Sequence, residues 1–367
     1  MFQPSSVLLI KLRHHGDVLL TTPVARTLKT FFPKCQIDFL VYEGTEEILK
    51  NNPDVRDVWI WHRTARGSNY FLNILQLFFH LRSRKYDLVI HLSDQMQGAL
   101  LAKFLAPKRS IGIDYPKRRN VLWRSCFSEL AALFPSNTHH TVEQNLATLE
   151  KIIPKDALPL YPYHGTEPSL RCRLVVSEED RFFIKKKLEQ LHVTNSYLLI
   201  HPTARWFFKC WEEESFASVM HYFTNQGWTI LVTSGPSTEE KTMVDTILQK
   251  VHSPRLHSLA GQLTLGQLAA AIDGATLFIG VDSVPMHMAA ALEKDVLALF
   301  GPSKINEWHP WMTRYHLLKA SDYAPLLDPD HVKTETTERY LTHIPVEAVI
   351  TAIESFVEKQ VNSDISC

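Results

Sequence analysis

The sequence predicts an α/β protein made of two doubly wound parallel-sheet domains in succession. Three observations carry that reading. Short continuous apolar runs alternate with amphipathic stretches, as a parallel sheet covered by helices on both faces requires. The alternation halts in a proline-rich interval, residues 154–170, and then begins again. The 367 residues also suit two domains of roughly 150 residues each.

In the first half, Val7 to Leu12 reads as a strand, about Val18 to Phe32 as a helix, and Ile37 to Tyr42 and Val55 to Trp61 as strands. Leu72 to Arg82 follows as a helix and Asp87 to Leu92 as a strand. Pro154, Pro159, Pro162 and Pro168, set among Gly165 and polar residues, exclude a regular helix or central strand and mark the linker. Beyond it come a helix Glu178 to Gln190, strand Tyr197 to His201, helix Glu213 to Asn225, strand Thr229 to Thr233 and helix Glu239 to Val251. The series continues with strand Leu256 to Leu259, helix Leu265 to Ile272, strand Leu277 to Val281, helix Pro285 to Leu292 and strand Val296 to Phe300. A last amphipathic stretch, Pro345 to Val361, reads as a helix with proline in its first turn. The expected organisation is residues 1–165, residues 166–344 and a terminal helical segment 345–367.

The 45% hydrophobic and 21% charged residues match a folded globular chain and exclude collagen-like, coiled-coil and disordered classes. No apolar run approaches the roughly 18 residues of a membrane span, and Lys11 interrupts the N-terminal one, so a cytoplasmic protein is expected. Five widely spaced cysteines without a C-x-x-C pair argue against a disulfide framework or zinc ribbon. The formal net charge is zero, yet residues 1–165 hold 21 Lys+Arg against 14 Asp+Glu. That excess suits an anionic partner, such as a phosphorylated sugar or a membrane surface, although charge runs are also commonly solvated faces. Nucleic acid is disfavoured because the basic residues lack interleaved aromatics, except around Trp123 and Arg124.

Open parallel sheets bind ligands beyond the carboxyl ends of their strands, so the strand-to-helix turns are where chemistry is expected. The first, Lys11-Leu12-Arg13-His14-His15-Gly16-Asp17, is an unusually polar exit from a buried strand; Asp17 either caps the helix or offers a carboxylate as a general base. The second, His201-Pro202-Thr203-Ala204-Arg205 and onward to Lys209, places a hydroxyl and two cations before a helix, which suits a diphosphate. The third, Ser234 to Thr242, imitates a P-loop but has Glu240 where glycine must precede Lys241; a carboxylate there suits ribose hydroxyls better. In the fourth, Asp282-Ser283-Val284-Pro285 with His287 one turn on, proline at the helix head leaves the preceding amides free for an anion; His287 can equally be a satisfied helix histidine. Asp328 and Asp330 spell a D-x-D that could hold a cation, but two carboxylates in a proline-rich loop are too few. The G-x-G-x-x-G fingerprint of nicotinamide enzymes is absent.

Taken in order, KLRHHGDVLLTTPV, HPTARWFFKCW, VDSVPMHMAAAL and FGPS resemble the bacterial lipopolysaccharide heptosyltransferases, glycosyltransferase family 9. The PTAR…FKCW segment is most similar to the heptosyltransferase III branch of the inner core. The resemblance implies a GT-B fold: two Rossmann-like domains facing a cleft, acceptor on the N-terminal one, ADP-heptose on the C-terminal one, and a last helix crossing back. It implies that Asp17 deprotonates the acceptor hydroxyl. It places the donor on Thr203, Ala204, Lys209, Glu239, Leu263, Asp282, Ser283, Val284 and His287, with Ala204 and Val284-Pro285 departing from the family pattern. The acceptor, a phosphorylated lipid A-core oligosaccharide at the inner face of the inner membrane, would meet Lys11, Arg13, His14, Arg63, Arg66, Arg118 and Arg119. No cofactor and no essential metal are implied. The expected reaction is an inverting heptosyl transfer by a peripheral, cytoplasmic enzyme; a GT-B nucleotide-sugar epimerase and a non-catalytic nucleotide-sugar binding module are the alternatives.

Overall fold

The computed structural model describes residues 2–63, 68–158, 167–194 and 196–364. Its strands form two six-stranded sheets. The first contains β1 (Ser6–Lys11), β2 (Gln36–Tyr42), β3 (Asp57–Trp61), β4 (Leu88–His91), β5 (Arg109–Ile113) and β6 (Glu129–Ala131). The second contains β7 (Tyr197–His201), β8 (Thr229–Val232), β9 (Leu256–Ser258), β10 (Leu277–Val281), β11 (Val296–Phe300) and β12 (Tyr315–Lys319). The helices are α1 (His15–Leu19), α2 (Thr22–Phe31), α3 (Ser68–Ser83), α4 (Met96–Leu105), α5 (Val121–Arg124), α6 (Thr141–Leu146) and α7 (Glu178–Gln190). They continue with α8 (Glu213–Asn225), α9 (Thr238–Gln249), α10 (Leu265–Asp273), α11 (Val284–Ala291), α12 (Ile305–Trp308) and α13 (Val346–Asp364).

The sheets run β3-β2-β1-β4-β5-β6 and β12-β11-β10-β7-β8-β9, with every pairing parallel. Counted from each unit's first strand the two orders are the same. Each reverses direction beside that strand, between β1 and β4 and between β7 and β10, and such switch points are where doubly wound sheets bind ligands. The central strands are covered on both faces, so β1 from Val7 to Ile10 and all of β7 and β10 are buried.

The expected helix from Val18 to Phe32 is two helices. Pro23 has no N–H for the Leu19 carbonyl, and the Thr22 hydroxyl donates to that oxygen instead at 2.7 Å, as Thr21 does to Val18 at 2.6 Å. The chain therefore turns at Leu20 and Thr21, and α1 becomes a short platform at the end of β1.

The division between the units falls between Val175 and Val176, further along than residue 165. Leu170 is fully buried, the Arg173 amide donates to Thr22 Oγ1 at 2.9 Å, and the Arg173 guanidinium pairs with Asp54 at 2.8 Å, so this stretch belongs to the first unit. Residues 159–166, the middle of the predicted linker, lie outside the described residues. At the other end of the chain, α13 belongs to the second unit and sends Val349, Ile353 and Phe356 into that unit's own core.

Asp87, just before β4, ties down the start of β1. Its Oδ2 accepts from the Ser5 hydroxyl at 2.5 Å and the Ser5 amide at 3.0 Å, and Lys108 pairs with Oδ1 at 2.7 Å. Lys108 first, then Ser5, holds this carboxyl well below the usual range, down to about 2. Among the described residues no helix is long and apolar enough to cross a membrane.

Candidate active site

The β1–α1 turn answers the question that the sequence left open for Asp17. The N-cap is His14, in extended backbone, and Asp17 is the third residue of α1 rather than its cap. Its carboxylate is 21% exposed, with the Lys11 ammonium 3.9 Å from Oδ1. Lys11 itself is not on a basic surface. It is buried and donates to the Leu92 carbonyl at 2.9 Å, and burial pushes its ammonium below the usual lysine range against the opposing pull of Asp17. Lys11 thus supplies positive charge beneath the acid and leaves the acid's outer face open.

The residue that organises the other basic groups is Asp94, which sequence reasoning missed. It follows β4 at the switch point, is buried, and takes Arg13 at 2.5 Å and Lys117 on its two carboxylate oxygens. Its backbone carbonyl accepts from Arg118 Nε at 2.9 Å. Burial pushes the Asp94 carboxyl up, but the Lys117 hydrogen bond and the charges of Arg13 and Lys117 outweigh it and leave it low. Arg63 stacks over the Tyr42 ring at 4.5 Å, and the Tyr42 hydroxyl accepts from Gln97 at 2.8 Å. Tyr42 feels both Arg13 and Asp94, and Tyr115 feels Asp94, Arg13 and Asp17, so these groups form one polar cluster. Arg119 is turned aside to Asp114 at 3.2 Å, His14 is exposed, and Arg66 lies outside the described residues.

In the second unit, the β7–α8 turn and the β10–α11 turn meet. Lys209, in a short 3₁₀ turn at Phe207–Lys209, places its ammonium 2.5 Å from Asp282 Oδ2 and 5.3 Å over the Trp206 ring. Burial pushes the Asp282 carboxyl up; the charge and hydrogen bond of Lys209, then Ser303 and His287, hold it below the usual range. Ser283 is the N-cap of α11 without a side-chain capping bond, and its buried Oγ has no hydrogen-bond partner among the described residues. Pro285 follows Val284 at the head of the helix, so a cluster of amides and a hydroxyl is left for an acceptor-rich ligand. His287 is buried, with its ring against Trp308.

Thr203 is fully buried and donates to Glu240 Oε1 at 2.9 Å, with His201 Nε2 at 3.4 Å. The carboxylate turned toward this strand end is therefore that of Glu240, the third residue of α9. Glu239, chosen from the sequence, is exposed one position earlier, because Ser237 caps the helix and sets its phase. Gly235 leaves the room into which Glu240 folds. The buried Ala204 gives its amide to Cys210 Sγ at 3.2 Å, which holds the turn without the hydroxyl a threonine would bring. Arg339, also missed, braces the same turn: it donates to the Trp211 carbonyl at 2.8 Å, pairs with Glu213 at 2.7 Å and covers the Phe207 ring. Leu263 is half-buried just before the Thr264 cap of α10. Asp328 accepts from the Asp330 amide at 2.8 Å and Asp330 pairs with Lys304 at 2.6 Å, so both D-x-D carboxylates have protein partners. Cys35, Cys126, Cys172 and Cys210 are buried free thiols.

Two doubly wound sheets of this order, one ending in an acid with a basic cluster and the other in a helix start with an unpartnered hydroxyl, are those of the GT-B fold class. The chain belongs to glycosyltransferase family 9 (heptosyltransferase), whose family profile matches residues 74–339. It is 35% identical over 96% of its length to lipopolysaccharide heptosyltransferase 3 of Escherichia coli K12, covering 98% of that protein. It is 22% identical to the core heptosyltransferase OpsX of Haemophilus influenzae, over 81% of this chain and 79% of that one. In fold it is similar to a glycosyltransferase family 9 structure from Veillonella parvula, with a TM-score of 0.81 at 22% identity and 97% of each chain covered. It is also similar to ADP-heptose heptosyltransferase II of E. coli, with a TM-score of 0.75 at 20% identity over 97% of this chain and 99% of that one.

Proposed function

We propose that this protein is an inverting ADP-heptose:lipopolysaccharide heptosyltransferase of the third type, moving L-glycero-D-manno-heptose onto a heptose of the phosphorylated inner core. The observation that carries this reading is the 35% identity to a relative of that name over nearly the whole of both chains. In this mechanism the Asp17 carboxylate takes the proton from an acceptor hydroxyl, whose oxygen attacks the anomeric carbon from the face opposite ADP. A bond forms to the sugar as the bond to the diphosphate breaks, and configuration inverts. Lys11, buried 3.9 Å from Asp17 Oδ1, sets a positive charge beside the base without covering its open face.

Charge builds on the departing diphosphate, where Lys209, the α11 amides and the Ser283 hydroxyl are the groups available to meet it. Lys209 must then exchange or share its partner Asp282. The Asp94-centred cluster of Arg13, Lys117 and Arg118, with Arg63 beside it, is the counterpart for acceptor phosphates. No metal is required in this reading, so transfer persists in excess EDTA with metal-free reagents. The enzyme works as a peripheral protein on the cytoplasmic face of the inner membrane, where its lipid-linked acceptor resides. The test is incubation of purified protein with ADP-heptose and core acceptor lacking the side-branch heptose: one heptose is added, as read by mass spectrometry. Consumption of ADP-heptose without acceptor overturns the reading in favour of an epimerase.

A further inference from the structure

The first unit carries a second surface that transfer chemistry does not use. Phe79 on α3, Leu100 on α4 and Val121 and Leu122 on α5 are exposed by 62%, 43%, 86% and 50%. Large apolar side chains scattered singly need no explanation, but these are linked. Phe79 meets the edge of Phe104 at 6.1 Å, Arg82 covers the same ring at 5.1 Å, and Leu100 lies one helical turn before Phe104. Lys103 on that turn reaches Ser125 Oγ at 2.9 Å, and Ser125 in turn donates to the Leu122 carbonyl at 2.9 Å. A single chain of contacts therefore runs from α3 across α4 to α5.

The charge on these segments has one sign. Helices α3, α4 and α5 with the residues that close them, 68–86, 95–105 and 121–128, contain Arg82, Arg84, Lys85, Lys103 and Arg124 and no Asp or Glu, and of these Arg84 pairs with Asp57 on β3. Arg82, Lys103 and Arg124 are exposed beside the apolar side chains. A solvated charged face mixes both signs and buries its leucines; a face of protruding apolar side chains bordered by Arg82, Lys103 and Arg124 suits something anionic and apolar at once. A nucleic acid gives Val121, Leu122 and Leu100 nothing to gain, since it rewards aromatic stacking rather than aliphatic insertion. A bilayer with anionic headgroups rewards both: isolated aliphatic tips enter the headgroup–acyl boundary while arginine and lysine meet the phosphates.

We infer that the α3–α4–α5 face, centred on Val121, Leu122, Lys103 and Arg124, docks the protein on an anionic lipid surface. This names the membrane-facing side of the enzyme and so rests on the proposed function, but its test needs no sugar substrate. The full-length protein is sedimented with vesicles of phosphatidylcholine alone and with vesicles holding roughly one part phosphatidylglycerol to three of phosphatidylcholine. Wild type partitions at least about tenfold more strongly to the anionic vesicles, and raising the salt removes the difference. Val121→Ser/Leu122→Ser and, separately, Lys103→Glu/Arg124→Glu each weaken that partition about tenfold or more, whereas Lys241→Glu, in the second unit, does not. Both double variants keep wild-type transfer to a water-soluble, deacylated acceptor, which shows that they fold. Equal sedimentation of wild type with both vesicle types, or unchanged partition of both double variants, overturns the inference. So does binding of a single-stranded oligonucleotide in preference to anionic vesicles at the same salt. Loss of the heptosyltransferase reading would show in the transfer assay alone and leave the vesicle result standing.

Discussion

Lys209→Ala tests the donor half of the site, because the structure gives that lysine two duties that the variant separates. Its ammonium lies 2.5 Å from Asp282, and the two side chains are only 16% and 7% exposed. Removing the lysine strands a nearly buried carboxylate, at a cost of about 3 kcal/mol in stability, the low end for a buried pair because Lys209 retains some solvent. It also removes a charge-assisted contact to the nucleotide diphosphate of about 1.5–3 kcal/mol, or roughly 10- to 150-fold in ADP affinity. The orphaned Asp282 adds repulsion. The double variant Lys209→Ala/Asp282→Asn should therefore recover the stability and only part of the affinity. Calorimetric titration with ADP, paired with thermal melts, reads both quantities. Lys241→Ala is the control: this exposed residue should change ADP affinity by under about 0.5 kcal/mol. Undiminished ADP binding by Lys209→Ala refutes the phosphate grip. Full recovery of affinity in the double variant would show that the lysine serves only to neutralise Asp282.

Asp17→Asn should lower turnover by about 10²- to 10⁴-fold with ADP affinity unchanged; near wild-type turnover would leave Asp17 without a catalytic duty. Asp94→Asn should raise the KM for phosphorylated acceptor about tenfold or more with kcat less affected, since it frees Arg13 and Lys117 from their fixed positions, and Asp94→Glu should restore part; a fall confined to kcat counts against it. Asp87→Asn should cost about 1–2 kcal/mol at neutral pH in denaturant melts. Because the Asp87 carboxyl titrates lower in the folded chain, near 2, than its ordinary value near 4, its contribution is full above pH 4 and fades between about pH 4 and 2; a deficit that persists unchanged at pH 2 contradicts the pairing.

Most interior strands were legible because a strand covered on both faces must be apolar throughout, as Val7 to Ile10 and Leu277 to Val281 are, but β5, also interior, was missed because Arg109, Ser110 and Gly112 break its apolar run. Of the edge strands, β3 and β9 were legible as well, while β6 and β12 were not. β6 is three residues long, and β12 shows Tyr315 and His316 to solvent, as an edge strand can. Among site residues, Asp17, Lys209 and Asp282 could be picked out in the sequence because each stands in a polar connection between a predicted strand and the next helix. Asp94 also follows a strand, but its partner Arg13 is 81 positions away, and no local pattern announces a contact of that range. The choice between Glu239 and Glu240 depends on helix phase, which the Ser237 cap sets to within one residue and which apolar periodicity does not resolve.

The strand order has a consequence for how the chain is made. β1 pairs on one side with β2 and on the other with β4, so Val7 to Ile10 gain their second neighbour only when Leu88 to His91 have been synthesised. At roughly 5–20 residues per second, the strand that carries the Asp17 turn spends about 4–16 s with one edge unpaired as the chain leaves the ribosome. β7 waits in the same way for β10. An open, wholly apolar edge is a template for the wrong partner during that interval. Substitutions that weaken β4 or β10 therefore act twice, once on the finished sheet and once on the fraction of nascent chains that reach it.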